Sequence, residues 1–189
     1  MEKKKIILAV TGASGSVYAN LLMKEIAGLE DQVSEAGIVF SKTALRVWEH
    51  ELNSPPVVPE IFTKYSPDDF FSAIASGSSG YDTMIVCPCS MGTLGRIANG
   101  ISDDLITRSA DVMLKERRNL ILVPRETPYN LIHIRNMEKL FLAGSLILPA
   151  SPSFYSKPAD TTALLMTVVE RILIHAGFKI DHFKWGSKC

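Results

Sequence analysis

Four cations and one glutamate in this sequence are placed where they could do chemistry on an anionic ligand. Arg108 and Lys115 lie seven residues apart in "LITRSADVMLKERR", on one face of a helix with Asp111 between them. Such a row is either a solvated salt-bridge ladder or a pair of cations turned toward an anionic ligand. Arg125 and Glu126 adjoin in "VPRETPYN", just after an apolar run. Arg125 could clamp a phosphate and Glu126 could move a proton, or the two could form an ion pair in a rigid loop. Arg171 stands alone in the apolar "LLMTVVERILI" and calls for an anion or a carboxylate. Its neighbour Glu170 points elsewhere on a helix. Tyr155 and Lys157 lie in "SPSFYSKPAD", ahead of a helix.

Two loops offer backbone donors. "VTGASGS" (10–16) follows an apolar strand and leads into a helix. Its amides, with Ser14 and Ser16, suit either an anionic phosphate or a plain tight turn. It is not a P-loop, because no Gly-Lys-Ser/Thr follows. As a dinucleotide fingerprint it fails, with Tyr18 near the place of a third glycine. "CPCSMGTLGRIANG" (87–100) repeats the arrangement, with Ser90, Gly92 and Thr93 ahead of a helix. Facing loops of this kind suit a mononucleotide, although Ser90 could equally be a helix cap.

The elements that must hold these residues alternate. Strands are expected at 5–10, 35–41, 82–89, 119–124 and 145–150. Helices are expected near 16–29, 42–52, 91–99, 102–118, 130–142 and 158–177. Continuous apolar strands separated by helices predict a parallel sheet covered on both faces, in one α/β domain. Ligands of such sheets bind at the carboxyl ends of the strands. "SGSSG" (76–80) reads as a surface loop, and no internal repeat is present.

Composition narrows the function. The chain has 189 residues, 47% of them hydrophobic, and its twenty basic and twenty acidic side chains cancel. No basic excess points to nucleic acid or a membrane surface. No apolar stretch is long enough to span a bilayer, and the apolar start is too short for a signal segment, so a cytoplasmic location is expected. Cys87, Cys89 and Cys189 make no disulfide framework. In a strand, Cys87 and Cys89 would point the same way. His50, His133, His175 and His182 form no spaced metal pair. Asp68–Asp69 and Asp103–Asp104 read as helix N-terminal acids rather than magnesium-binding motifs.

Taken in order, "TGASG", "SKTA", "CPCSMGTL", "SDDLITRSADVMLKERR", "LVPRETP" and "FYSKPAD" resemble the UbiX-type flavin prenyltransferases, relatives of phenolic-acid decarboxylase B subunits. The resemblance runs from about residue 5 to Trp185. It implies a Rossmann- or flavodoxin-like fold, FMN bound between subunits, and a homododecamer. The implied reaction joins a dimethylallyl group, from dimethylallyl phosphate or the diphosphate, to N5 and C6 of reduced FMN without a metal. The product, prenylated FMN, goes to a UbiD-type decarboxylase.

By the same resemblance Gly12, Ala13, Ser14, Ser41, Ser90, Met91, Gly92, Thr93 and Arg125 contact FMN. Arg108, Lys115, Tyr155 and Arg171 hold the prenyl phosphate, with Trp185 as cover. Glu51 and Glu126 are the active-site carboxylates, joined in the catalytic set by Lys115 and Arg108. The C-terminal helix and tail, from about residue 158, complete the site. Ser156 stands where relatives often have histidine. Two other functions fit the fold: an FMN-dependent cysteine decarboxylase, and an FMN-binding subunit without chemistry.

Overall fold

Six parallel strands form the centre of the molecule, in the order β3-β2-β1-β4-β5-β6. They are β1 (Lys4–Val10), β2 (Val33–Phe40), β3 (Phe62–Tyr65), β4 (Thr83–Cys89), β5 (Asn119–Pro124) and β6 (Leu146–Ile147). The helices are α1 (Ser16–Gly28), α2 (Ala44–Leu52), α3 (Met91–Ala98), α4 (Leu105–Lys115), α5 (Leu131–Leu142) and α6 (Thr161–His175). This computed structural model describes residues 3–184 and 186. Trp185 and Cys189 lie outside the described residues.

Alternate residues of the apolar strands feed two cores, as the period of two requires. Ile6, Leu8, Val10, Ile38, Phe40 and Ile85 pack under α1, α2 and α6. Ile7, Ala9, Val39, Met84, Val86 and Leu122 pack under α3, α4 and α5. Ile6, Ile7 and Leu8 are fully buried. Each contributes about 1.5–3 kcal/mol of transfer free energy, so β1 is anchored from both faces.

Three expectations need correction. The register between β4 and β5 is interrupted between Val86 and Cys89. The interruption sends Cys87 into the first core and Cys89 into the second, so they do not share a face. Burial pushes both thiols up, Cys89 to about 12, and neither is a thiolate at neutral pH. The edge strand β3 goes unread in the sequence, because "FTKY" has one buried residue and pairs only with β2. Conversely β6 is two residues long, not six, and borders β5 alone; past it the Leu148 and Ala150 amides still donate to the Leu122 and Pro124 carbonyls.

The chain winds outward from β1 to β3, then returns across the sheet to start again at β4. The strand order therefore reverses between β1 and β4, and their carboxyl ends splay apart into a crevice there.

Candidate active site

Loops after β1, β2, β4 and β5 stand side by side along the carboxyl edge of the sheet. Thr11 ties two of them together. Its hydroxyl donates to the Pro88 carbonyl (2.7 Å) and accepts from the Ser90 amide (2.8 Å). Thr11 is buried, so this bridge works in a low-dielectric setting. Sequence reasoning passed over it, because a lone threonine carries no motif.

Gly12 makes the next contact. A Cβ there would fall 2.3 Å from Thr43 Oγ1, so only glycine lets the β1 and β2 loops approach this closely. Ser41 Oγ accepts from the Ala44 amide (3.1 Å) and starts α2. Gly15 turns the chain into α1 with φ 113°, the left-handed region that glycine tolerates.

The start of α1 is not open to a phosphate. Glu51 fills it: its carboxylate accepts from the Gly15 amide (3.0 Å) and the Ser16 amide (2.8 Å). Trp48, one turn earlier on the same face of α2, is buried edge-to-face against Phe40 and fixes Glu51 there. Partial burial pushes the Glu51 carboxyl up. Hydrogen bonds from the Ser14 hydroxyl and the Ser16 and Gly15 amides outweigh it and hold the group below the ordinary carboxylate range. The anion expected at this loop is thus the protein's own.

The open helix start is that of α3. Ser90 caps it, its Oγ accepting from the Thr93 amide (3.2 Å) while its hydroxyl donates to Thr93 Oγ1 (3.0 Å). The amides of Met91 and Gly92 are first-turn donors that a helix leaves without internal partners. A Cβ on Gly92 would meet nothing within 4 Å. Arg96, another residue that sequence reasoning missed, reaches back to Thr93 Oγ1 (3.3 Å) from the end of α3. It is also paired with Asp103 (2.7 Å) and Asp104 (3.0 Å). A cavity of about 290 Å³ adjoins, lined by Ser41, Lys42, Thr43, Arg96 and the two aspartates among others.

Arg125 and Glu126 follow β5 on the same edge, both exposed. The Arg125 amide donates to the Cys89 carbonyl (3.4 Å), and Glu126 accepts from the Thr127 amide (3.1 Å). One chain therefore gathers Gly12, Ala13, Ser14, Ser41, Glu51, Ser90, Met91, Gly92, Thr93, Arg125 and Glu126 along one edge.

It does not gather the expected phosphate cluster. Arg108 is held to the Ala75 carbonyl (3.1 Å) and Asp111 (3.1 Å). Lys115 pairs with Glu116, not Asp111, and the antiparallel course of α4 sets it beside the starts of the strands. Arg171 lies on the opposite face of the sheet, on α6, beside His175 Nε2 (3.2 Å). The His175 carbonyl accepts from Asn119, the first residue of β5. Tyr155 follows β6 and is largely exposed. Arg171 thus lies across the sheet from Arg108 and Lys115, while the segment carrying Tyr155 is tied to α6 through the Ser153 amide, which donates to Thr167 Oγ1 (3.0 Å). Among the described residues no cluster of His, Cys, Asp or Glu could hold a metal ion.

A family model described as Flavoprotein matches residues 1–173. The flavin prenyltransferase UbiX of Methanocaldococcus jannaschii is 43% identical over 97% of this chain and 99% of its own. The chain belongs to the UbiX flavin prenyltransferases. A UbiX crystal structure in complex with FMN and dimethylallyl pyrophosphate superposes on this chain with a TM-score of 0.86, at 36% identity, covering 97% of this chain and all of that one. A dodecameric FMN-dependent UbiX-like decarboxylase from Escherichia coli O157:H7 does so with a TM-score of 0.87, at 36% identity, covering 95% and 98%. The peptidyl-cysteine decarboxylase EpiD, at 18% identity and a TM-score of 0.61, shares the fold alone with this flavin prenyltransferase family member.

Proposed function

We infer that this chain is a flavin prenyltransferase that joins a dimethylallyl group from dimethylallyl phosphate to N5 and C6 of reduced FMN, making prenylated FMN for a UbiD-type decarboxylase. The observation that carries it is the pair of helix starts at the β1/β4 crevice. One is closed by the chain's own carboxylate and the other is open to a ligand anion.

FMN fits this edge. Ser41, Thr93 and the first amides of α3 supply neutral donors for its phosphate, with Ser90 orienting Thr93, and Arg125 adds charge. Gly12, Ala13 and Ser14 bring backbone close to the ring. Reduced FMN, when bound, supplies the electron-rich N5 and C6. Glu51 is ionised at neutral pH, since its pKa is lowered, and is in the state that accepts a proton. Glu126 is the second carboxylate on this edge.

Arg108, Lys115, Tyr155 and Arg171 serve the donor phosphate from more than one copy of the chain. Growing charge on a departing phosphate is stabilised best by several fixed cations. In this reading other copies bring them together, since one protomer holds Arg171 on the opposite face of the sheet from Arg108 and Lys115. The α5 helix exposes Leu131, Ile132, Ile134, Phe141 and Leu142, an apolar face that a homo-oligomer would cover, a dodecamer in this reading. In this reading the C-terminal helix and the segment after it, from about residue 158, complete the donor pocket. A cytoplasmic location goes with this reading. No helix of the described residues is long and apolar enough to cross a membrane.

The decisive experiment mixes the protein with FMN, a reductant and dimethylallyl phosphate and weighs the extracted flavin. A gain of one prenyl unit supports the reading, and unchanged FMN in every mixture overturns it.

A further inference from the structure

The hydrogen-bond inventory at the start of α3 leaves one donor over. Thr93 Oγ1 accepts twice, from the Ser90 hydroxyl at 3.0 Å and from Arg96 Nη2 at 3.3 Å. A hydroxyl has two lone pairs and one proton. With both lone pairs taken, the Thr93 proton can only be given away. No acceptor for it exists among the described residues, although Thr93 is 3% exposed. A buried donor without a partner costs free energy, and it calls for an acceptor from outside the chain.

Arg96 is what makes this arrangement stable. A guanidinium has donors only, so it can never reverse the bond to Thr93. Its other nitrogen, Nη1, is held by Asp103 and Asp104 at 2.7 and 3.0 Å. Asp104 is itself fixed as the N-cap of α4, accepting from the Thr107 amide at 2.8 Å. The orientation of Arg96 is thus set by α4; it lines the cavity beside Ser41 and Thr43, and its one hydrogen bond toward the start of α3 is to Thr93.

We propose that Arg96 is a positioning residue for the flavin phosphate. By occupying one lone pair of Thr93, with Ser90 on the other, it commits the Thr93 proton to a phosphate oxygen seated at the start of α3. The charges around Arg96 support action through Thr93 rather than by direct grip. The adjoining cavity carries Lys42 and Arg96 against Asp68, Asp103 and Asp104, so the guanidinium is already neutralised. This inference rests on the FMN reading above.

The test measures equilibrium binding of FMN and of riboflavin, which lacks the phosphate, to the full chain by flavin fluorescence. The wild-type protein prefers FMN. In Arg96→Met the FMN preference falls roughly tenfold, while riboflavin affinity changes by less than about twofold. Thr93→Val shows the same loss, and adding Arg96→Met to it costs nothing further. Should the single Arg96 variant not fold, Arg96→Met/Asp103→Asn/Asp104→Asn leaves no unpaired carboxylate, keeps an asparagine N-cap on α4 and replaces it. Retained FMN preference in the Arg96 variant overturns the proposal. So does an equal loss for both flavins, which marks a purely structural residue, and so does an undiminished effect in the Thr93→Val background. A wild-type protein that binds neither flavin, or shows no preference, overturns instead the FMN reading on which the proposal stands.

Discussion

Glu51 and Ser16 lie 35 positions apart in the chain and meet at 2.8 Å, carboxylate oxygen to amide nitrogen. The contact fills one of the two helix starts at the crevice with the protein's own carboxylate. A carboxylate already at the start of α1 satisfies its orphan amides and its dipole, and a second anion there would be repelled.

Replacing the carboxylate by its amide tests this. In Glu51→Gln the charge–dipole interaction is lost, and stability falls by about 0.5–1 kcal/mol at neutral pH. Unfolded, a glutamate titrates near its ordinary value of about 4.3, whereas folded Glu51 titrates lower. The stabilisation is therefore complete above the ordinary value and is lost as pH falls through the lowered one. Urea unfolding of the two proteins should show curves that differ at neutral pH and converge in acid. FMN binding should persist in the variant, with prenylation strongly reduced.

Thr11 is the buried bridge between the β1 and β4 loops. Thr11→Val leaves the Pro88 carbonyl and the Ser90 amide without their partner, at a cost of about 1–3 kcal/mol. FMN affinity should fall with it, since both loops border the proposed flavin site. Thr11→Ser, which keeps the hydroxyl, should recover most of both in paired melting and titration experiments.

Gly12 is required by its neighbour rather than by its dihedral angles. Gly12→Ala places a methyl group against Thr43 and should weaken FMN binding by about tenfold or more, the cost of an overpacked contact. Thr43→Gly removes the obstructing atoms, so the double variant should bind FMN better than Gly12→Ala alone. A double variant no better than the single one would show that the clash is not the cause.

Lys115 and Arg171 are the sharpest test of a donor pocket shared between copies. Lys115→Ala and Arg171→Ala should each abolish most donor use and leave FMN affinity nearly intact. If the two act from different protomers, mixing the unfolded variants and refolding them together should restore a fraction of activity. No recovery in a mixed assembly of normal size would place both residues in one protomer's share of the pocket, against the geometry of the single chain.

Much of the fold was legible because burial acts locally. The run "KIILAV" could only be a strand covered on both faces, and "NLILVP" occupies β5 as expected. The strands with least burial were the ones misread: β3 was missed and β6 was overextended. Pairing partners, not their own residues, set their lengths. The motifs placed the loops that carry Gly12, Ser41, Ser90 and Arg125 at strand ends, and the structure sets them on one edge of the sheet. Thr11 and Arg96 were not legible, since their importance comes from what they touch across the crevice.

By itself the amino-acid sequence determined the alternation of strand and helix, the two loops rich in amides, and membership in a family, because apolar period and motif order are properties of neighbours in the chain. Only the tertiary structure decided which helix start is filled and which is open, and that Arg171 lies on the opposite face of the sheet from Arg108 and Lys115. Those outcomes depend on strand order and helix direction. The reversal between β1 and β4 opens the crevice, and the antiparallel course of α4 carries Lys115 away from it to the far edge of the sheet.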